Sequence, residues 1–344
     1  MDPAEVRLAE LPWLRAETAA LRAAHRAGRL SHAVLIHAPQ GAGGDWLAAW
    51  IARLALCANS GAAPCGACTS CRRALELQHP DLLVVSPEED SQQIRIEQIR
   101  AASRDLAFTS HQGRAKVAIV TPADAMNHFA ANALLKTLEE PPPATFLVLV
   151  AAQPSRLPAT VRSRCQQVRI PAPPRATSVA WLEATVGKGE WDAVLETLGE
   201  APVRAAGVDA ERLAEVRAEV HRALDDAVAG RLDPASTAER WSRSELALRL
   251  SCFERWLTDR AHRSLAPGDE SREVRPGAHL PGAASLLNIR ALFGLVDGVR
   301  ELRSLLDTPL NKSLALEALL RRTTDLNGPR SASGQRRADQ RQQQ

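Results

Sequence analysis

Ala33-Val34-Leu35-Ile36-His37-Ala38-Pro39-Gln40-Gly41-Ala42-Gly43-Gly44-Asp45 reads as a buried strand running into a glycine-rich turn, and Trp46 to Leu56 reads as the helix that follows. Strand, glycine turn and helix in that order form the setting of a phosphate-binding loop. Such a loop surrounds phosphate with backbone N–H groups, offsets its charge with a lysine and holds magnesium with a Ser or Thr hydroxyl. Here Gly41 and Gly43 are kept, but Gly44 stands where the lysine belongs and Asp45 where the hydroxyl belongs. The aspartate would oppose phosphate charge rather than offset it. Taken alone, a glycine turn is equally a plain strand-to-helix connection.

Working outward from that stretch, apolar runs and amphipathic stretches alternate over the first 170 residues, as in βα units built on a parallel sheet. Asp81 to Val85 is a second strand, and Ile99, Ala102 and Leu106 share one helical face. Lys116 to Val120 is a third strand, without polar alternation and so buried on both faces. A helix is expected from about Asn127 to Glu140, stopped by Pro141-Pro142-Pro143, none of which can donate a helical hydrogen bond. Thr145 to Ala151 is a fourth strand and Val168 to Ile170 a last one. The prolines at 171, 173 and 174 mark a boundary. Residues 171–207 read as a small helical unit and 208–327 as a helical bundle with a Gly/Pro-rich interruption near 267–282. The Ser/Gly/Gln/Arg-rich 328–344 is expected to be disordered.

A formal charge of +3 over 344 residues does not suit a protein that coats nucleic acid, and the arginine and alanine excess reads as genome bias first. No apolar run reaches 18 residues, which argues against a membrane partner, and the acidic start Met1-Asp2-Pro3-Ala4-Glu5 lacks the pattern of a secretion signal. A cytoplasmic protein with reduced cysteines is therefore expected.

Four of the six cysteines fall within fifteen residues, as Cys57, Cys65, Cys68 and Cys71. The x-x spacings let neighbouring sulfurs meet one tetrahedral ion, with Pro64 and Gly66 supplying tight turns, and four ligands leave no open position, so a structural Zn2+ is expected. The alternative is a buried helix cysteine beside free thiols. Cys165 and Cys252 read as core thiols.

Two further signals concern nucleotide chemistry. After strand 116–120, where Asp-Glu would hold magnesium and orient water, the chain has Thr121-Pro122, and Asp124 comes two residues further on. With the altered loop, this leads us to expect no ATP hydrolysis by this chain. Leu157 to Cys165 then forms a loop after the fourth strand, ending in Ser163-Arg164-Cys165. It can present Arg164, a planar and permanently charged guanidinium, towards the phosphates of an adjacent subunit. A lone Ser-Arg-Cys is a weak motif; its weight comes from its place after the others.

Together these stretches resemble the delta-prime subunits of the bacterial DNA polymerase III clamp loader. The resemblance is carried by Arg29-Leu30-Ser31-His32-Ala33, the loop 38–45, the cysteine cluster, His79-Pro80-Asp81 and Ile96-Glu97-Gln98-Ile99-Arg100. It continues through Ala123 to Asn127, Ala131 to Pro142 and Ser163-Arg164-Cys165, covering about residues 10–170. It implies an α/β AAA+ core (1–170) with a zinc module, a helical lid (171–207) and an all-α collar (208–327). It also implies a subunit without catalysis of its own inside a DNA-directed DNA polymerase holoenzyme. That subunit supports ATP-dependent loading of the sliding clamp on primed DNA, with tau/gamma motor subunits and a delta subunit as partners. By the same resemblance Arg164, with Ser163, is the arginine finger given in trans, and Cys57, Cys65, Cys68 and Cys71 hold the zinc. The competing reading is a catalytically active tau/gamma-like motor, which should carry the loop lysine and Asp-Glu that this chain lacks. Ala151-Ala152, where a polar sensor residue is expected, departs in the same direction. A zinc-dependent DNA-binding module is also conceivable, but no recognition helix or basic stripe accompanies the cysteines.

Overall fold

The computed structural model describes residues 10–88, 91–111, 114–265, 283–306 and 310–327. The Gly/Pro-rich stretch near 267–282 and the tail 328–344 lie outside them. The chain divides into two compact units, one ending at Ala210 and the other beginning at Glu211.

The first unit opens with α1 (Arg15–Arg26), followed by β1 (Ala33–His37) and α2 (Gly44–Leu56). The short α3 (Thr69–Leu75) closes the cysteine segment, and β2 (Leu82–Val85) and α4 (Ile96–Ala107) follow. Then come β3 (Lys116–Val120), α5 (His128–Glu139), β4 (Thr145–Ala151), the one-turn α6 (Ala159–Arg162) and β5 (Gln166–Arg169). The five strands form one all-parallel sheet in the order β2-β3-β4-β1-β5. In the centre, Ala33 to His37 pair in register with Leu147 to Ala151. Every residue of β3 is buried, as its unbroken apolar run requires of a strand covered on both faces.

The edge strand differs from expectation. It begins at Gln166, two residues before the apolar pair that marked it in the sequence, and its burial pattern is mostly exposed. Pairing with β1 alone fixes it, so its backbone is committed to the sheet while its side chains stay in water.

Helix α5 shows why its sequence folds as it does. The Asn127 side chain accepts a hydrogen bond from the N–H of Ala130 at 2.8 Å and caps the start. Ala130, Ala131, Leu134, Thr137 and Leu138 are buried at helical spacing, and the prolines at 141–143 end the helix.

The unit ends in α7 (Arg175–Thr185), α8 (Trp191–Leu198) and α9 (Pro202–Ala205), which pack on one another. Gly199 takes φ +78°, the left-handed turn that closes α8.

The second unit is helical throughout its described residues. It holds α10 (Ala210–Val228), α11 (Pro234–Ser242), α12 (Leu246–Leu265), α13 (Ala283–Ser304) and α14 (Lys312–Thr324). Leu213, Val216, Val220, Leu224 and Ala227 form the buried stripe of α10. Trp241 is fully buried and donates its indole N–H to Glu219 at 3.0 Å. Arg249, 5 % exposed, reaches the same carboxylate at 2.9 Å. No helix among the described residues is long and apolar enough to cross a membrane.

Candidate functional site

In a parallel sheet all strands present one kind of end to each side, and the candidate residues divide between the two sides. The glycine loop leaves the carboxyl end of β1 and enters α2. Thr121 follows the carboxyl end of β3, and Gln153 lies just past that of β4. These are the positions from which a nucleotide would be held.

Here other parts of the chain pack closely on the glycine loop. Gly41 has φ +74° and Gly43 φ +102°, conformations that favour glycine. The space beside them is already filled. A Cβ on Gly41 would stand 2.7 Å from Cβ of Ala201, and one on Gly43 would stand 2.5 Å from Cδ1 of Leu11. At Gly44, the lysine position, a Cβ would lie 2.9 Å from both Ala38 and Val150 side chains. The N–H of Val203 in α9 donates to the Gly41 carbonyl at 3.0 Å, and the Trp13 indole donates to the Ala42 carbonyl at 2.8 Å. Trp13 in turn meets Trp181 edge-on at 5.4 Å, and Trp181 donates to the Glu10 carbonyl at 3.1 Å. Arg204 therefore stands over the loop through its own Cβ, 3.0 Å from the place of a Gly41 side chain.

The side chains of Asp45 and Thr121 meet beside the loop. Thr121 donates its hydroxyl to Oδ1 of Asp45 at 2.6 Å. The two residues that replace the metal-binding hydroxyl and the acidic pair thus bind each other. Asp124 does not turn towards the loop chemistry; its Oδ2 accepts the N–H of Gln153 at 2.8 Å.

Ser163-Arg164-Cys165 sits on the opposite side, immediately before the amino end of β5. Cys165 is buried in the core of the sheet, and burial pushes its thiol up to about 11. Arg164 points outward. Its Nη2 lies 2.7 Å from Oε1 of Glu139 and its Nη1 donates to the Thr160 carbonyl at 3.0 Å, with the side chain 38 % exposed. Ser163 donates to the same carbonyl at 3.2 Å. Glu139, the last residue of α5, is a partner of Arg164 that the sequence does not single out. Its only sequence signal is its place in Thr137-Leu138-Glu139-Glu140 ahead of the prolines.

The four clustered cysteines come together as their spacing requires: their sulfurs lie within 4.8 Å of one another, Cys57 and Cys68 at 4.0 Å. Four sulfurs at about 2.3 Å from one tetrahedral zinc would stand about 3.8 Å apart, so the set suits a single ion with slight contraction. Backbone N–H groups point at the sulfurs: Cys65 at Cys57, Cys68 at Cys65 and Cys71 at Cys68, at 3.4, 3.4 and 3.3 Å. Such bonds favour thiolates. Burial pushes Cys57 up and Cys71 to about 12, whereas the Cys68 N–H lowers Cys65. At Cys68 burial acts upward too, but the N–H groups of Cys71 and Ala58 outweigh it and bring the thiol down to about 6. The donor set could hold one metal ion with no position left for substrate.

Residues 15–174 match the family model described as "DNA polymerase III, delta subunit". The chain is 32% identical over 336 residues to the DNA polymerase III subunit delta' of Pseudomonas aeruginosa, covering 92% of this chain and 98% of that one. It is 39% identical over 188 residues to the delta' subunit of Escherichia coli K12, covering 54% and 56% of the two chains. A shorter stretch of 146 residues is 32% identical to the E. coli tau subunit, 42% of this chain and 22% of that one.

Proposed function

The chain belongs to the family of DNA polymerase III delta-prime subunits, and on that premise we propose that it is a clamp-loader subunit that acts on a neighbour's ATP and hydrolyses none itself. Arg164 is its arginine finger, steadied by Glu139 and the Thr160 carbonyl next to Ser163. The observation that carries this reading is the division of the sheet. The finger precedes β5 while the loop follows β1, its parallel neighbour. The two ends are separated by at least a strand length, roughly 13 Å for four residues. Arg164 therefore cannot serve the chain's own loop, and that loop is filled by Leu11, Trp13, Ala201 and Val203.

A finger is worth roughly 10³–10⁵ in rate because its charge meets the phosphoryl oxygens as they become more negative in the transition state. The partner supplying that nucleotide is a tau/gamma-type motor subunit. With a delta subunit, the assembly opens the sliding clamp and places it on primed DNA during replication. The cysteine cluster holds Zn2+ in a structural role, through Cys57, Cys65, Cys68 and Cys71.

The tau likeness favours a second reading, an active motor. Gly44, Asp45 and the Asp45–Thr121 hydrogen bond weigh against it, since the loop lysine and the acidic pair that serve phosphate and magnesium are both replaced. Purified chain incubated with ATP and magnesium should show no turnover above buffer. Magnesium-dependent turnover by the chain alone would refute this proposal in favour of the motor.

A further inference from the structure

Between α1 and α2 lies a cleft of about 330 Å³, lined among others by Arg15 and Arg22 from α1 and by Trp46, Trp50 and Arg53 from α2. Glu10 is the one acidic residue lining it. Three permanent positive charges against one carboxylate leave the cleft cationic. By contrast, Arg175, Arg212 and Arg249 each lie against two carboxylates. Among the described residues, Arg15, Arg22 and Arg53 have no carboxylate in ion-pair reach.

Two donors in the lining point to an acceptor that the protein does not supply. The Trp46 indole Nε1 and the Arg53 Nε are buried, and neither has a hydrogen-bond partner among the described residues. Buried N–H groups are rarely left unpaired, because desolvation without a new bond is costly. The guanidinium of Arg22 lies over the Trp50 ring, 5.4 Å from its centroid, which fixes one cation at the wall. A ligand suited to this lining has several acceptor oxygens, at least two negative charges and room to meet planar guanidinium groups side-on. A phosphate group has all three.

We infer that this cleft binds a phosphate group, either of a free polyphosphate or of a nucleic-acid backbone. It shares no residue with the finger, so the inference stands or falls separately from the proposed finger role. A surface that is merely arginine-rich would also attract anions, but weakly, without stoichiometry, and with no special dependence on Arg53 or Arg22.

The test is calorimetric titration of the full chain with inorganic pyrophosphate at constant ionic strength, with a thymidine octanucleotide as a competitor. Wild type should bind pyrophosphate at one saturable site. Arg53→Met and Arg22→Met should each weaken binding at least tenfold, whereas Arg231→Met, whose arginine pairs with Asp226, should not. Competition by the octanucleotide would identify backbone phosphate as the source; its failure to compete would identify free polyphosphate. Arg53 also lies against Gly66 in the cysteine turn, so Arg22→Met is the deciding variant if Arg53→Met lowers the melting temperature. Absence of saturable binding, or equal binding by wild type and Arg22→Met, would overturn the inference.

Discussion

The two ends of the parallel sheet are treated in opposite ways. At the carboxyl ends, where a nucleotide would be expected, the protein has turned outward-facing groups inward: the Gly41 and Ala42 carbonyls bind Val203 and Trp13, and Asp45 binds Thr121. At the amino ends the traffic is reversed. Cys165 anchors the loop in the core, and Arg164 is left half-exposed, held by Glu139 and one carbonyl. Under the proposed function, the difference is between a loop end closed by the chain's own packing and a finger end left open to a partner. In that reading the closed end is held by packing, and the open end stays exposed for a nucleotide held by another chain.

The largest effect is expected outside this contrast, in the cysteine cluster that neighbours α2. Cys71→Ser or removal of metal by a strong chelator should cost several kcal/mol, since structural zinc contributes about 10–16 kcal/mol in isolated finger peptides. Zinc content by mass spectrometry and a urea melt check this; a chain that holds its stability after losing all metal would show the cluster to be incidental.

Next come the glycines of the loop. Gly43→Ala should destabilise by about 2–4 kcal/mol, combining left-handed strain with overpacking against Leu11. Gly28→Ala, at φ +66° with nothing within 4 Å of the new Cβ, carries strain alone and should cost about 1–2 kcal/mol. Equal costs at the two positions would mean that the loop is not filled. Trp13→Phe keeps an aromatic ring but removes the donor to the Ala42 carbonyl and part of the packing on Trp181, for an expected loss of about 1–2 kcal/mol.

The smallest effect on stability belongs to the finger end. Glu139→Gln loosens an exposed ion pair, worth less than about 1 kcal/mol to the fold. In the assembled loader it should lower turnover a few-fold through a less ordered Arg164. A drop as large as that of removing the arginine itself would place Glu139 in the chemistry rather than beside it.

Much of this was legible in the sequence. β3 and β4 announced themselves because central strands of a parallel sheet are apolar on both faces, and α5 did so through its apolar spacing and the proline stop, while the Asn127 cap was seen only in the structure. The missing lysine and acidic pair could be read directly, because absence at a fixed position of a motif needs no tertiary information. β5 was placed late because its pairing is fixed by the β1 backbone while Gln166 and Gln167 face water. The filling of the loop by Trp13, Ala201 and Val203 and the Glu139–Arg164 pair depend on contacts between distant segments, which no local pattern encodes.

The central claim, one sheet with a silent end and a working end, is tested most directly by ATP turnover of a loader reconstituted from this chain with motor and delta subunits, sliding clamp and primed DNA. Wild type is compared with Arg164→Ala after equal assembly has been shown by sedimentation. Turnover at the site facing this chain should fall by roughly 10³-fold or more, lowering the total to that of the remaining sites. Undiminished turnover in a fully assembled Arg164→Ala complex would contradict it and leave the chain a scaffold.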